Sequence, residues 1–148
     1  MNNFIRLKLN KDDDGTCELI AEASSNGFSG KGSAWFNLSD IQQFSAKLLN
    51  YPLPEDAICL KGGFYGDNLE LKEEHLSICV YPVGRTGNIG IQVKCRTPSD
   101  EDFRPESISQ SMLEMKTNYE DIARFNKSLS KLINGECEEA LLQCDDYE

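Results

Sequence analysis

The sequence of 148 residues predicts an α+β protein, in which a mainly antiparallel sheet of about eight strands carries two amphipathic helices. Short runs of alternating apolar and polar residues recur along the chain and are separated by turn residues, which is the pattern of half-buried strands. Two segments, 37–49 and 118–130, instead show the apolar spacing of helices, and each directly follows a strand-like run. The length fits a single domain spanning 1–148 with one sizeable core.

The two helical segments share five identical residues at one constant offset of 81 positions. In the first segment these residues are Asn37, Asp40, Ile41, Phe44 and Leu48, and in the second they are Asn118, Asp121, Ile122, Phe125 and Leu129. Two explanations stay open. A strands-then-helix unit was duplicated to give pseudo-halves 1–53 and 57–142, or two helices meet the same requirements for capping and docking.

The first half begins with strands over Phe4–Leu9, Cys17–Ala23 and Phe28–Phe36, each with apolar residues on one face. In the third strand, Gly30 and Gly32 leave space over the apolar face, and we expect the following helix to occupy that space. The helix is predicted to be capped by Asn37 with Asp40 or by Ser39 with Gln42. Its apolar stripe comprises Ile41, Phe44, Leu48 and Leu49, and it ends before Tyr51-Pro52.

The second half contains further strands and the second helix. Strands are predicted over Ile58–Tyr65, Leu69–Leu71, His75–Pro82, Asn88–Arg96 and Ser107–Thr117. The helix is capped by Thr117 with Glu120 or by Asn118 with Asp121, and Asn134-Gly135 ends it. Its stripe comprises Ile122, Phe125, Leu129, Leu132 and Ile133. A short apolar run, 140–142, is expected to pack, and an acidic end follows it.

The formal charge of −10 argues against binding of nucleic acid or of an anionic membrane, because both require lysine and arginine. It favours solubility or a basic protein partner. No apolar run is long enough to span a membrane, and the N-terminus lacks the features of a signal peptide. We therefore expect a cytoplasmic protein, with its six cysteines reduced and mostly buried and without a structural zinc site. Cys137 and Cys144 are the thiols most expected to be exposed.

The sequence predicts no catalytic residue, no metal site and no cofactor. The segment KDDDG (11–15) lacks the spacing and the distal glutamate of a calcium loop, and the glycine pairs do not open helices as phosphate-binding loops do. His75, the only histidine, follows Glu73 and Glu74. An enzyme with carboxylate or thiol chemistry in the segment Glu73–Cys79 is therefore the alternative to a binding protein.

Candidate binding residues are aromatic or cationic side chains on or near strands, namely Trp35, Tyr65, Tyr81 and Arg85. Such residues anchor partners when they are exposed, and the competing explanation is packing across strands or in the core. A third hypothesis is a homodimer formed through an edge strand, either Leu69–Leu71 or Phe4–Leu9.

The chain resembles a family of small, uncharacterised bacterial proteins. The resemblance lies in segments 28–53, 75–94, 104–107 and 117–142, which together cover most of the sequence. The family has no assigned activity, so the resemblance implies a bacterial cytosolic origin and identifies no functional residue. In its small size and acidity the chain is also broadly similar to immunity proteins of toxin systems. The sequence thus favours a non-enzymatic binding protein with a basic protein partner.

Overall fold

A computed structural model describes residues 3–99, 102 and 104–144. Within this part of the chain, two helices and two antiparallel sheets of four strands each form an α+β fold. The helices are α1 (Leu38–Lys47) and α2 (Tyr119–Ile133). The strands are β1 (Asn3–Lys11), β2 (Thr16–Ser25), β3 (Phe28–Asn37), β4 (Ile58–Tyr65), β5 (Leu71–Val83), β6 (Asn88–Arg96), β7 (Gln110–Asn118) and β8 (Ala140–Cys144).

The predicted α+β class, the number of about eight strands and their antiparallel pairing are confirmed, but the strands form two sheets and not the one sheet that was predicted. One sheet has the strand order β3-β2-β1-β8 and the other has the order β4-β5-β6-β7. The apolar run at 140–142 is part of β8, which pairs with β1 so that Ile5 faces Leu142. The segments predicted as separate strands at 69–71 and 75–82 are largely one long strand, β5.

Both halves of the chain have the same topology. Each contains three sequential antiparallel strands followed by a helix, which are β1-β2-β3-α1 in the first half and β5-β6-β7-α2 in the second. The strand after each helix then crosses to the other sheet. As a result, β4 pairs with β5 and β8 pairs with β1. The predicted boundary between the halves, at residues 53–57, is therefore too early, because β4 is the counterpart of β8 and belongs to the first half. With the halves divided between β4 and β5, each half completes the sheet of the other half.

The two helices meet through residues at equivalent positions. Asn126 Nδ2 donates hydrogen bonds to the backbone carbonyl of Ser45 and, over 3.0 Å, to Ser45 Oγ. Asn126 and Ser45 are separated by the same 81 positions as the repeated residues. The contact between α1 and α2 therefore joins equivalent positions of the two helices.

One hydrophobic core runs through the described residues, from Ile5 to Leu142. Strand β3 packs against all four strands of the second sheet, and the helices pack beside this contact against β1, β3, β4, β7 and β8. In β2 the odd-numbered residues from Cys17 to Ala23 are buried and the residues between them are partly exposed. This alternation places one face of the strand in the core and the other toward solvent.

The space above Gly30 and Gly32 is occupied by the second sheet and not by α1 as predicted. A β-carbon at Gly30 would overlap the side chain of Ser111, and one at Gly32 would lie 2.9 Å from the β-carbon of Cys95. The two glycines therefore allow β3 to approach β6 and β7 closely.

The N-terminal ends of α1 and α2 are capped differently, although both helices follow an asparagine. Asn118 Oδ1 accepts a 2.8 Å hydrogen bond from the backbone N–H of Asp121, which confirms one of the two predicted caps of α2. Asn37 occupies the same position before α1 but its side chain makes no capping hydrogen bond. The apolar stripe of α1 also ends earlier than predicted, since Leu48 is buried and Leu49 is exposed.

The prediction of six reduced cysteines is wrong for two of them, because Cys59 and Cys79 form a disulfide. The two residues lie directly opposite each other on β4 and β5, with 4.1 Å between their α-carbons. Cys17 and Cys95 are buried free thiols, and burial raises the pKa of both. Cys137 and Cys144 are partly exposed.

Neither segment predicted as an edge strand lies at an edge. Strand β1 has neighbours on both sides, β2 and β8. Leu71 begins the internal strand β5, and Leu69 lies before it with φ of 60°. The edges of the two sheets are instead β3, β8, β4 and β7. Among the described residues, no helix is long and apolar enough to cross a membrane.

Candidate functional site

Trp35 lies on the outer face of the edge strand β3. Its neighbours Ala34 and Phe36 point into the core, whereas 52% of the surface of Trp35 is exposed. Trp35 is directly opposite Glu18 on β2, and Glu18 is in turn opposite Asn10 on β1. The indole ring is therefore accessible and has a carboxylate-bearing residue as its cross-strand neighbour.

An acidic turn follows this row of residues toward the same end of the sheet. Asp12, Asp13 and Asp14 are all exposed in the connection between β1 and β2. Asp14 Oδ1 accepts hydrogen bonds from the backbone N–H and the hydroxyl of Thr16, at 3.0 and 2.5 Å. These hydrogen bonds lower the pKa of Asp14 and keep the carboxylate ionised. The turn thus presents three exposed aspartates, of which Asp14 is held in place by Thr16.

The connection from α2 to β8 adds an acidic residue at this end of the molecule. Glu138 lines a cleft of about 420 Å³ together with Lys8 and Lys11. The surface formed by Trp35, Glu18, the β1–β2 turn and this cleft is named the acidic end. Its acidic members are Asp12, Asp13, Asp14, Glu18 and Glu138. Lys8 and Lys11 are cations within the same region.

The other predicted binding residues lie elsewhere. Tyr81 is on the outer face of the second sheet, where its ring covers Gly90 and its hydroxyl donates a hydrogen bond to Glu114. Arg85 is exposed in the turn between β5 and β6. Tyr65 is half-exposed at the end of β4 and lines a small depression with Lys47 and Lys61. The structure therefore places Tyr81 and Arg85 at one end of the second sheet and Trp35 on the outer face of the first.

A polar cluster is centred on Glu73, within the segment predicted for the enzyme alternative. Glu73 Oε2 lies 2.7 Å from His75 Nε2, and Glu73 Oε1 lies 2.5 Å from an Arg96 nitrogen. Both the hydroxyl and the backbone N–H of Ser99 also donate to this carboxylate. His75 is buried, and its ring meets the ring of Phe64 edge to face with 4.4 Å between centroids.

These partners determine what the cluster can do chemically. Hydrogen bonds from Ser99, Arg96 and His75 lower the pKa of Glu73 far below its ordinary value. Glu73 is therefore an ionised acceptor with its oxygens already occupied, and it is not a proton donor near neutral pH. Arg96 and Ser99 were not predicted from the sequence, because both reach Glu73 from other parts of the chain and the pairing of β5 with β6 brings them together.

No protein-family model, no curated protein and no solved structure matches this chain. The fold and the surfaces define an acidic two-sheet α+β protein with one exposed tryptophan on an edge strand. Its function is therefore argued from the geometry of these surfaces.

Proposed function

We propose that this protein is a non-enzymatic binding protein whose acidic end contacts a basic surface of a protein partner. The observation that carries the proposal is the exposed Trp35 on an edge strand, opposite Glu18 and next to the acidic turn. Tryptophan is enriched at the centres of interfaces because it buries a large rigid surface. The indole face also attracts lysine and arginine side chains.

The surrounding carboxylates support the same kind of partner. The three aspartates of the turn are exposed, and Asp14 is held ionised by Thr16. In a chain with a formal charge of −10, such a cluster increases the rate of encounter with a basic surface and disfavours acidic partners. An immunity-type role, in which the partner is a basic toxin, is the more specific form of this proposal. A cytoplasmic location belongs to the same proposal.

The test uses Trp35 as its own reporter, because it is the only tryptophan in the chain. A lysine-rich peptide is titrated into the folded protein at low ionic strength while the tryptophan emission is recorded. We expect a saturable change in emission that weakens with added salt, since the contact is partly electrostatic. The triple variant Asp12→Asn, Asp13→Asn, Asp14→Asn is expected to weaken the apparent affinity by about tenfold.

The natural partner is then sought by affinity capture from the source cells at low salt. Trp35→Ala is expected to reduce capture of a basic protein at least about tenfold, as for a central interface residue. Phe28→Ala is the matched control, because Phe28 is an exposed aromatic residue on the same strand but distant from the acidic turn. Recovery of no partner, or equal losses for the two variants, would refute the proposal.

The alternatives receive less support. The thiol of Cys79 is bound in a disulfide, and the carboxylate of Glu73 is occupied by three partner residues. Both facts count against an enzyme that uses these groups. A homodimer formed through an edge strand would have to use β3, β4, β7 or β8, because Leu69–Leu71 and Phe4–Leu9 do not lie at a sheet edge. We also infer that the two halves derive from a duplication, which is supported by their shared topology and by the contact between Ser45 and Asn126.

A further inference from the structure

A cavity of about 770 Å³ lies at the end of the second sheet, where β5 begins, β6 ends and β7 begins. Pockets for small ligands have volumes of roughly 300–1,000 Å³. It is lined by Lys72, Glu73, Glu74, Lys94, Cys95, Arg96, Gln110, Ser111 and Met112. Ser111 packs against Gly30, whereas the acidic end adjoins Asn37 at the other end of β3. The cavity and the acidic end are therefore separated by roughly 20 Å along β3.

The guanidinium group of Arg96 is held in a fixed position at this cavity. One of its nitrogens lies 2.5 Å from Glu73 Oε1, and His75 and Ser99 fix the Glu73 carboxylate in turn. A guanidinium group has five N–H donors, so binding to Glu73 leaves donors for a further acceptor. Because Arg96 is 27% exposed, these donors are oriented by the protein before a ligand arrives.

Two lysines add positive charge around the same cavity. Lys72 and Lys94 are exposed, and neither forms an ion pair with any residue that the structure describes. Among the described residues of the lining, the acidic ones are Glu73, whose charge is balanced by Arg96, and Glu74. The described part of the lining therefore carries a net positive charge within a chain of formal charge −10. A positively charged cavity in a negatively charged protein favours an anionic ligand.

We propose that this cavity binds a small organic carboxylate. Lys94 and the remaining donors of Arg96 would bind the carboxylate group, since charge-assisted hydrogen bonds to a carboxylate are the strongest available. Gln110 offers a neutral hydrogen-bonding group for the rest of the molecule, and the exposed side chain of Met112 offers an apolar wall. This site is independent of the acidic end and of its protein partner.

The test is a titration of the isotope-labelled full chain with succinate, followed by amide chemical shifts in two-dimensional NMR spectra at constant ionic strength. We expect saturable shifts concentrated at Lys94, Arg96, Gln110 and Ser111, with no change at the Trp35 indole. Succinamide, a neutral molecule of similar shape, should produce no such shifts. Equal shifts with succinamide, or succinate shifts spread over lysines throughout the surface, would overturn the proposal.

A pair of variants tests the role of charge at the cavity. Lys94→Gln should weaken succinate binding by about tenfold, because it removes one charge-assisted contact without disturbing Glu73. Lys31→Gln is the matched control, since Lys31 is an exposed lysine on the first sheet opposite Glu22. The spectra of both variants report directly whether the fold is retained. Equal affinities for the two variants would overturn the assignment.

Discussion

At the scale of single residues, identical sequence does not produce identical contacts. Asn37 and Asn118 occupy the same position before their helices, yet only Asn118 accepts a hydrogen bond from the helix backbone. Asn118 Nδ2 also donates to Asp121 Oδ2 over 3.1 Å, so its side chain is held from both sides. The backbone of α1 is instead attached to the β1–β2 turn, because the N–H of Leu38 donates to the carbonyl of Gly15.

This difference in capping predicts that an asparagine-to-alanine substitution destabilises the fold more at position 118 than at position 37. Asn118→Ala should lower the free energy of unfolding by about 1 kcal/mol, which is the usual cost of losing an N-terminal helix cap. Asn37→Ala should cost a small fraction of that, since no capping hydrogen bond is lost. Urea unfolding followed by circular dichroism measures both values. Equal losses would show that Asn37 caps α1 in solution.

At the scale of elements, the strand register decides which residues become partners. The alternation of apolar residues predicted most strands and the spacing of apolar residues predicted both helices, since both patterns are local. The disulfide could not be predicted in this way. Whether Cys59 faces Cys79 depends on the pairing of β4 with β5, which contains irregularities at Gly62/Gly63 and Phe64/Tyr65. Local patterns carry no information about such shifts.

The disulfide attaches the edge strand β4 to its neighbour and should contribute to stability. It closes a loop with a sequence separation of 20, for which constraint of the unfolded chain is worth roughly 3 kcal/mol. The double variant Cys59→Ala, Cys79→Ala should lose about this free energy of unfolding, and dithiothreitol should destabilise the wild type by a similar amount. The same reductant should leave the double variant unchanged.

Thiol titration in denaturant provides the direct check on this disulfide. Four of the six cysteines should react before reduction, and all six should react after it. Trapping thiols with an alkylating reagent during cell lysis shows whether the bond exists in the source cells. Six reactive thiols in that experiment would restore the expectation of a fully reduced protein.

At the scale of the whole molecule, the two halves form one structure because each donates a strand to the other. The sequence repeat predicted the equivalent helices but not this exchange, since β8 is only five residues long and was predicted only as an apolar run that packs. The assembly of the candidate site was likewise only partly predictable. Trp35 was identified from its position in an alternating strand, whereas its proximity to the acidic turn follows from the pairing of β1, β2 and β3.

The Glu73 cluster joins three parts of the chain, and this makes it a determinant of global stability at neutral pH. Glu73 on β5 contacts Arg96 on β6 and Ser99 in the following loop. Its pKa is lowered in the folded state from an ordinary value of 4.5. A carboxyl group of this kind stabilises the fold above its unfolded pKa, and this contribution is lost as the pH falls toward the folded pKa.

We therefore expect Glu73→Gln to lower the free energy of unfolding by about 2 kcal/mol at neutral pH, because it leaves the buried His75 and the partly exposed Arg96 and Ser99 without their charged acceptor. The deficit relative to wild type should be largest above pH 4.5 and should shrink as the pH falls below that value. Urea unfolding at a series of pH values measures this difference. Glu74→Gln, which removes the adjacent negative charge, is the control and should show a much smaller deficit. A deficit for Glu73→Gln that stays constant from neutral to acidic pH would mean that the ionised carboxylate is not the source of the stability.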